Sequence, residues 1–152
     1  MRIFIKRIRD EGEAFCGEEP AAIMELQEED VQFLDPVRYD LLAQVQQNAL
    51  LVTGRLSAPV HLRCSRCLKI FVQELVVERF VYHLELSGQD VVDLTPQIRE
   101  DILLELPQRA LCDGSCKGLC PHCGTDLNVA TCSCRPETGS PQWQVLDSLK
   151  LK

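Results

Sequence analysis

Residues 58–86 read APVHLRCSRCLKIFVQELVVERFVYHLEL. The first part alternates, with Val60, Leu62 and Cys64 on one side of an extended chain. The second part is long and rich in Val, Phe and Tyr, and it resumes just after Cys64-Ser-Arg-Cys67. Two strand-forming runs that flank a short polar tetrapeptide predict a hairpin whose turn is the cysteine pair. That hairpin sets the fold class: α+β, an antiparallel β-sheet with one main helix and a cysteine-rich C-terminal segment.

The rest of the chain is arranged around this hairpin. On the C-terminal side, SGQD marks a turn, flanked by Asp90 and Asp93, which read as solvated. TPQIREDILLELP follows it. Thr95 suits an N-cap, Pro96 the first helical position, and Pro107 ends the run. Ile98, Ile102, Leu103 and Leu106 then share one helix face. On the N-terminal side, residues 37–56 (VRYDLLAQVQQNALLVTGRL) suit helix or strand by composition, with extended structure favoured in the second half. Residues 1–9 alternate weakly around Ile3 and Ile5 and predict an edge strand. Residues 10–35 are acid-rich and read as mostly loop with a short element. The chain divides into an α+β part (1–107) with an acidic N-terminal segment, a cysteine-rich part (108–136) and a C-terminal tail (137–152). In the tail Trp143, Leu146 and Leu149 stack on one side and suit docking on the core, with a partner-binding peptide as the alternative.

Residues 111–134, LCDGSCKGLCPHCGTDLNVATCSC, carry six cysteines and almost no apolar bulk. Such a stretch cannot order itself by burial, but metal binding can supply the folding free energy. The opening MRIFIKRIRD lacks a signal peptide's apolar region, and no apolar run is long enough to span a membrane. The expected compartment is therefore the cytoplasm, where thiols stay reduced and closely paired cysteines are metal ligands more often than disulfides. Eight of the nine cysteines come in pairs, Cys64/Cys67, Cys112/Cys116, Cys120/Cys123 and Cys132/Cys134, while Cys16 stands alone. Eight thiols suit two zinc ions with four thiolates each; one ion with spare thiols is the alternative. Proximity in sequence favours Cys120, Cys123, Cys132 and Cys134 sharing one ion, which leaves Cys64 and Cys67 for Cys112 and Cys116. His122 sits inside a knuckle and is expected to face solvent.

Other chemistry is sparse. The spacing lacks the runs of iron-sulfur ferredoxins. A reactive Cys-x-x-Cys is usually set at a helix N-terminus, whereas Cys64-Ser-Arg-Cys67 lies between strands. His61, His83 and His122 have no evident serine or carboxylate companions, and no phosphate-binding glycine loop occurs. A closed all-thiolate site leaves no position for reactive water, so no enzyme and no small-molecule substrate are expected.

The formal charge is −7, distributed unevenly. Residues 10–40 hold eleven acids and one base, Arg38, whereas residues 41–73 hold no acid and four bases, Arg55, Arg63, Arg66 and Lys69.

Taken in order, CSRCL (64–68), EDILLELP (100–107), LCDGSCKGLCPHCGTDLN (111–128), the trailing CSC (132–134) and Trp143-x-x-Leu146-x-x-Leu149-Lys150 resemble the bacterial YceD family. The resemblance covers most of the chain, with LCPHCGTDLN its most specific piece. It implies a factor in ribosome biogenesis that promotes synthesis, processing or stability of 23S ribosomal RNA, and it carries over no catalytic residue. The residues themselves suggest how. Arg55, Arg63, Arg66 and Lys69, joined by Lys117, would form an RNA-binding patch at the hairpin tip, contacting ribosomal RNA or pre-ribosomal particles. Two alternatives are an adaptor that holds a basic ribosomal protein or assembly factor on its acidic segment, and a thiol redox or iron-sulfur protein.

Overall fold

The structure is a computed structural model that describes residues 1–9, 11–26 and 28–134. The predicted hairpin forms its spine. Strand β5 (Ala49–Arg63) pairs antiparallel with β6 (Ile70–Glu85) from Ala49↔Glu85 to Arg63↔Ile70, with a bulge between Gly54 and Leu56. Fifteen residues make β5 about 50 Å long. The Cys64–Cys67 turn is thus carried well away from the opposite end of the sheet.

The ambiguous stretch before the hairpin is a strand throughout: β4 (Val37–Gln46) pairs antiparallel with β5 from Gln46↔Ala49 to Arg38↔Ser57. Gln47 (φ 56°) helps close the two-residue turn between them. The acidic stretch differs from expectation, because β2 (Glu13–Glu19) pairs with β4 along its full length. This strand lacks the apolar alternation of a half-buried strand. Its edge position is held by backbone bonds to β4, and its outward residues Ala14, Cys16 and Glu18 are small or polar. A two-residue strand, β3 (Val31–Gln32), pairs with Leu62 and His61 on the same edge of β5 as β4. Pro59, which has no N–H, falls between the residues paired to β4 and those paired to β3, where its missing donor breaks no ladder bond.

A second sheet pairs β1 (Arg2–Phe4) with β7 (Val91–Asp93). The predicted first strand therefore ends early, and Ile5–Arg7 form a 3-10 turn. Helix α1 (Thr95–Leu104) packs on the inner face of β5 and β6. Ile98 and Ile102 are fully buried and Leu103 and Leu106 pack against the core, as the helix periodicity predicts. The cap differs. Thr95 is already helical, and its N–H donates to Asp93 Oδ1 at 2.9 Å. Its hydroxyl instead accepts from the N-terminal ammonium of Met1, closing the β1–β7 sheet onto the helix. Neither turn aspartate is merely solvated, since Asp90 pairs with Lys6 at 2.9 Å.

Even-numbered β5 residues (Leu50, Val52, Leu56, Ala58, Val60, Leu62) face the core, and Cys64 continues the same row. Phe80, Met24, Leu41 and Ile3 complete it from the neighbouring elements. Among the described residues, no helix is long and apolar enough to cross a membrane. The tail stripe Trp143, Leu146 and Leu149 lies outside the described residues.

Candidate metal centre

At the far end of the hairpin the buried row ends in sulfur. The Sγ atoms of Cys64, Cys67, Cys112 and Cys116 all lie within 4.8 Å of one another, and so do those of Cys120, Cys123, Cys132 and Cys134. These are the two sets of four anticipated from sequence proximity. In the first, Cys64 and Cys116 are 3.9 Å apart and Cys67 and Cys112 are 3.6 Å apart. A disulfide needs about 2.05 Å, so these are gathered thiols and not bridges.

The two Cys-x-x-Cys turns share one backbone design. In the hairpin turn the Leu68 N–H donates to Cys64 O at 2.9 Å, and the Cys64 N–H donates to Lys69 O at 2.9 Å. In the second turn the Gly124 N–H donates to Cys120 O at 2.9 Å, and the Cys120 N–H donates to Thr125 O at 2.8 Å. The residue after the second cysteine is left-handed in both, Leu68 at φ 61° and Gly124 at φ 72°. That conformation curls the chain so that both sulfurs point to one side.

Further bonds join the cysteine segment to the hairpin. Ser65 donates from its N–H (2.8 Å) and from its hydroxyl (3.0 Å) to Ala110 O. Arg66 Nη1 donates to Cys116 O at 2.7 Å, while Arg66 O accepts the Leu119 N–H at 3.0 Å. Gly118 is left-handed (φ 78°) and lies so close that a Cβ there would come within 2.9 Å of Arg66 O. Asn128, which the sequence reading missed, accepts the Lys117 N–H at 2.7 Å and turns its amide toward Cys116 Sγ at 3.5 Å. Asp126, also missed, pairs with Lys69 at 2.6 Å and ties the second cysteine set to the start of β6. Both follow the second knuckle in GTDLN, and only tertiary contacts give them these roles.

Burial separates the sets. Cys64, Cys67 and Cys116 are buried against Phe71, Leu111 and Leu119. In the second set only Cys120 is buried, while Cys123 and Cys134 are exposed. Within each set the thiols titrate against one another. Backbone hydrogen bonding at Cys112 leads the influences that bring Cys64 down to about 6, and the Thr125 hydroxyl and amide do the same for Cys123. Their neighbours are pushed the other way, Cys112 to about 12 by Cys67 and Cys134 to about 12 by Cys123. Four bare thiolates repel one another at this range; a divalent ion removes that repulsion and displaces the remaining protons. Each set can therefore hold a metal ion. His122 is exposed and belongs to neither set.

The candidate RNA-binding cations fare unevenly. Arg63, Arg66, Lys69 and Lys117 cluster around the first cysteine set, but Arg55 lies beside the bulge, about 30 Å back along β5. The stretch that is acid-free in sequence is not acid-free in space. Arg55 pairs with Glu78 at 3.2 Å, Arg63 with Asp30 at 2.8 Å and Lys69 with Asp126. Arg66 is exposed and engaged by Cys116 O; Lys117 is exposed, and its backbone N–H carries its described bond.

Fold and site together define a class: an antiparallel sheet whose longest hairpin presents two four-thiol clusters able to bind metal. Residues 52–150 match the family model described as "Large ribosomal RNA subunit accumulation protein YceD", and the chain belongs to the YceD family. An uncharacterized protein of Mycobacterium tuberculosis (strain ATCC 25618 / H37Rv) is 31% identical over 122 residues, 70% of this chain and 58% of that protein. The chain thus spans little more than half the length of this relative. Uncharacterized protein YlbN of Bacillus subtilis is 26% identical over 137 residues, 79% of this chain and 77% of that one. The chloroplastic large ribosomal RNA subunit accumulation protein YCED homolog 1 of Arabidopsis thaliana is 36% identical over 59 residues, 39% of this chain and 18% of that one. No solved structure shows significant similarity.

Proposed function

We propose that this chain is a non-catalytic zinc protein of ribosome biogenesis that promotes accumulation of 23S ribosomal RNA by binding the RNA or its assembly intermediates. The observation that carries this reading is the gathering of eight cysteines into two closed four-thiol sets within the family-matched residues 52–150. Zinc fits the donor set. A tetrahedron of thiolates at about 2.3 Å from zinc has edges of about 3.8 Å; two separations in the first set are 3.6 and 3.9 Å, and all in both sets lie within 4.8 Å. Four sulfur ligands leave no open coordination position, so the ion's part is to hold the scaffold rigid. Arg66 and Lys117 then stand on a fixed surface beside the first cluster, available to phosphate oxygens.

The test is crosslinking in cells followed by sequencing of attached RNA, repeated with Lys117→Glu, a residue whose described bond is made by its backbone. Large-subunit RNA is expected in the crosslinks, with weaker and less salt-dependent binding by the variant. A second reading, an adaptor for a basic ribosomal protein or assembly factor, draws on the carboxylate partners of Arg55, Arg63 and Lys69 and on the acids of residues 10–40. Protein partners that persist after nuclease treatment, with no RNA crosslinked, would favour that reading over the first.

A further inference from the structure

Strand β6 lies at one edge of the main sheet, opposite β2, and one of its sides has no strand partner among the described residues. Where β6 leaves the cysteine turn, Leu68, Ile70 and Val72 are 56%, 64% and 57% exposed. Ile70 and Val72 point away from the core, opposite Phe71, which packs into it. Three large apolar side chains in a row beside a free edge would invite association if left open.

The same corner of the molecule receives the end of the described chain. Asp126, in the loop of the second cysteine set, is paired with Lys69 at 2.6 Å, and Cys134 belongs to that set. Residues 135–152 therefore start close to the exposed row. They contain Trp143, Val145, Leu146, Leu149 and Leu151, and three bases against two acids. The exposed outer residues of β6 include Glu74 and Glu78. The nine-residue step from Cys134 to Trp143 reaches at most about 30 Å, ample to fold back onto β6. The family match runs on to residue 150, so this segment is part of the unit shared with relatives.

We propose that residues 141–151 of this same chain dock on the outer face and free edge of β6, covering Leu68, Ile70 and Val72. The second cysteine set fixes where the segment begins, and Glu74 offers its lysines an acidic counterpart, Glu78 being already paired with Arg55. The inference does not depend on what the protein binds.

Trp143 is the chain's sole tryptophan and reports directly. In the full-length metal-loaded protein its emission is expected to be blue-shifted and protected from acrylamide. In Ile70→Asp/Val72→Asp the emission should move to the red and the protection be lost, with metal content unchanged. The milder Ile70→Thr/Val72→Thr pair, which keeps strand-forming side chains, should show part of the same effect if the aspartates prove too disruptive. Leu104→Asp, at an exposed apolar position at the end of α1 and outside the proposed docking face, should leave the emission alone. A wild-type tryptophan already fully quenchable would overturn the proposal. So would a red shift caused by Leu104→Asp and not by the β6 variants.

Discussion

Cys64 and Cys116 stand 52 residues apart in the chain and 3.9 Å apart at their sulfurs. The first closes the β5–β6 hairpin and the second lies beyond α1, so their meeting staples the two ends of the α+β scaffold together. Apolar packing around them is thin, limited to Phe71, Leu111 and Leu119. On the proposed reading, metal held by the thiols supplies most of the free energy that orders residues 111–134.

The junction between hairpin and cysteine segment gives a sharp steric test. Gly124→Ala meets no neighbouring atom and bears only the left-handed backbone cost, about 1–2 kcal/mol. Gly118→Ala adds a contact at 2.9 Å with the Arg66 carbonyl, a backbone atom that cannot swing away. Urea unfolding should show Gly118→Ala to be the worse variant, by roughly 1 kcal/mol or more. Equal losses would mean that the close approach does not constrain the fold.

Helix α1 gives a pH test. Hydrogen bonds from Thr95, hydroxyl and backbone N–H, hold the Asp93 carboxyl below its usual range, helped by the N-terminal ammonium and Arg2. A depressed folded pKa means the stabilisation is complete above the unfolded value of about 3.9 and fades as pH falls through the folded one. Asp93→Ala should cost about 1 kcal/mol at pH 7, within the range for a lost helix cap and modest because the carboxylate is half exposed. The gap between variant and parent should narrow in acid below pH 4. A gap independent of pH would assign the loss to something other than the charge.

Lys69 and Asp126 tie the exposed cysteine set to the sheet. The lysine brings the Asp126 carboxyl to about 2, so the pair is charged at any working pH. Lys69→Met should speed loss of metal from the set containing Cys120, Cys123, Cys132 and Cys134 to a competing chelator. Release from the buried set should stay slow. Two phases in the parent, with only the faster one accelerated in the variant, would match; a uniform change in both would not.

Much of this architecture is legible in the sequence for physical reasons. Alternation at Val60, Leu62 and Cys64 reports one buried face of a strand, and the four cysteine pairs signal the two four-thiol sets, because thiols that could share an ion must lie close together. Proximity in sequence also sorts them, since Cys123 and Cys132 are near enough for the chain to fold back. Strand β2 is not legible, because an edge strand takes its backbone bonds from β4 and asks little of its own side chains. Nor are the ion pairs. Residues 41–73 contain no acid, yet Asp30, Glu78 and Asp126 reach Arg63, Arg55 and Lys69 from other elements. Absence of charge along the chain says nothing about neighbours across a sheet. Asp93 acts two residues before the expected cap by accepting the Thr95 N–H, while the Thr95 hydroxyl is engaged by the chain's own N-terminus.

Elemental analysis of natively purified protein, alongside Cys64→Ser/Cys116→Ser, tests the central claim most directly. Two zinc ions per chain in the parent and one in the variant are the expected result, with amide protection of residues 111–134 lost in strong chelator. A parent that holds no metal, or a cysteine segment equally protected with and without chelator, would contradict it.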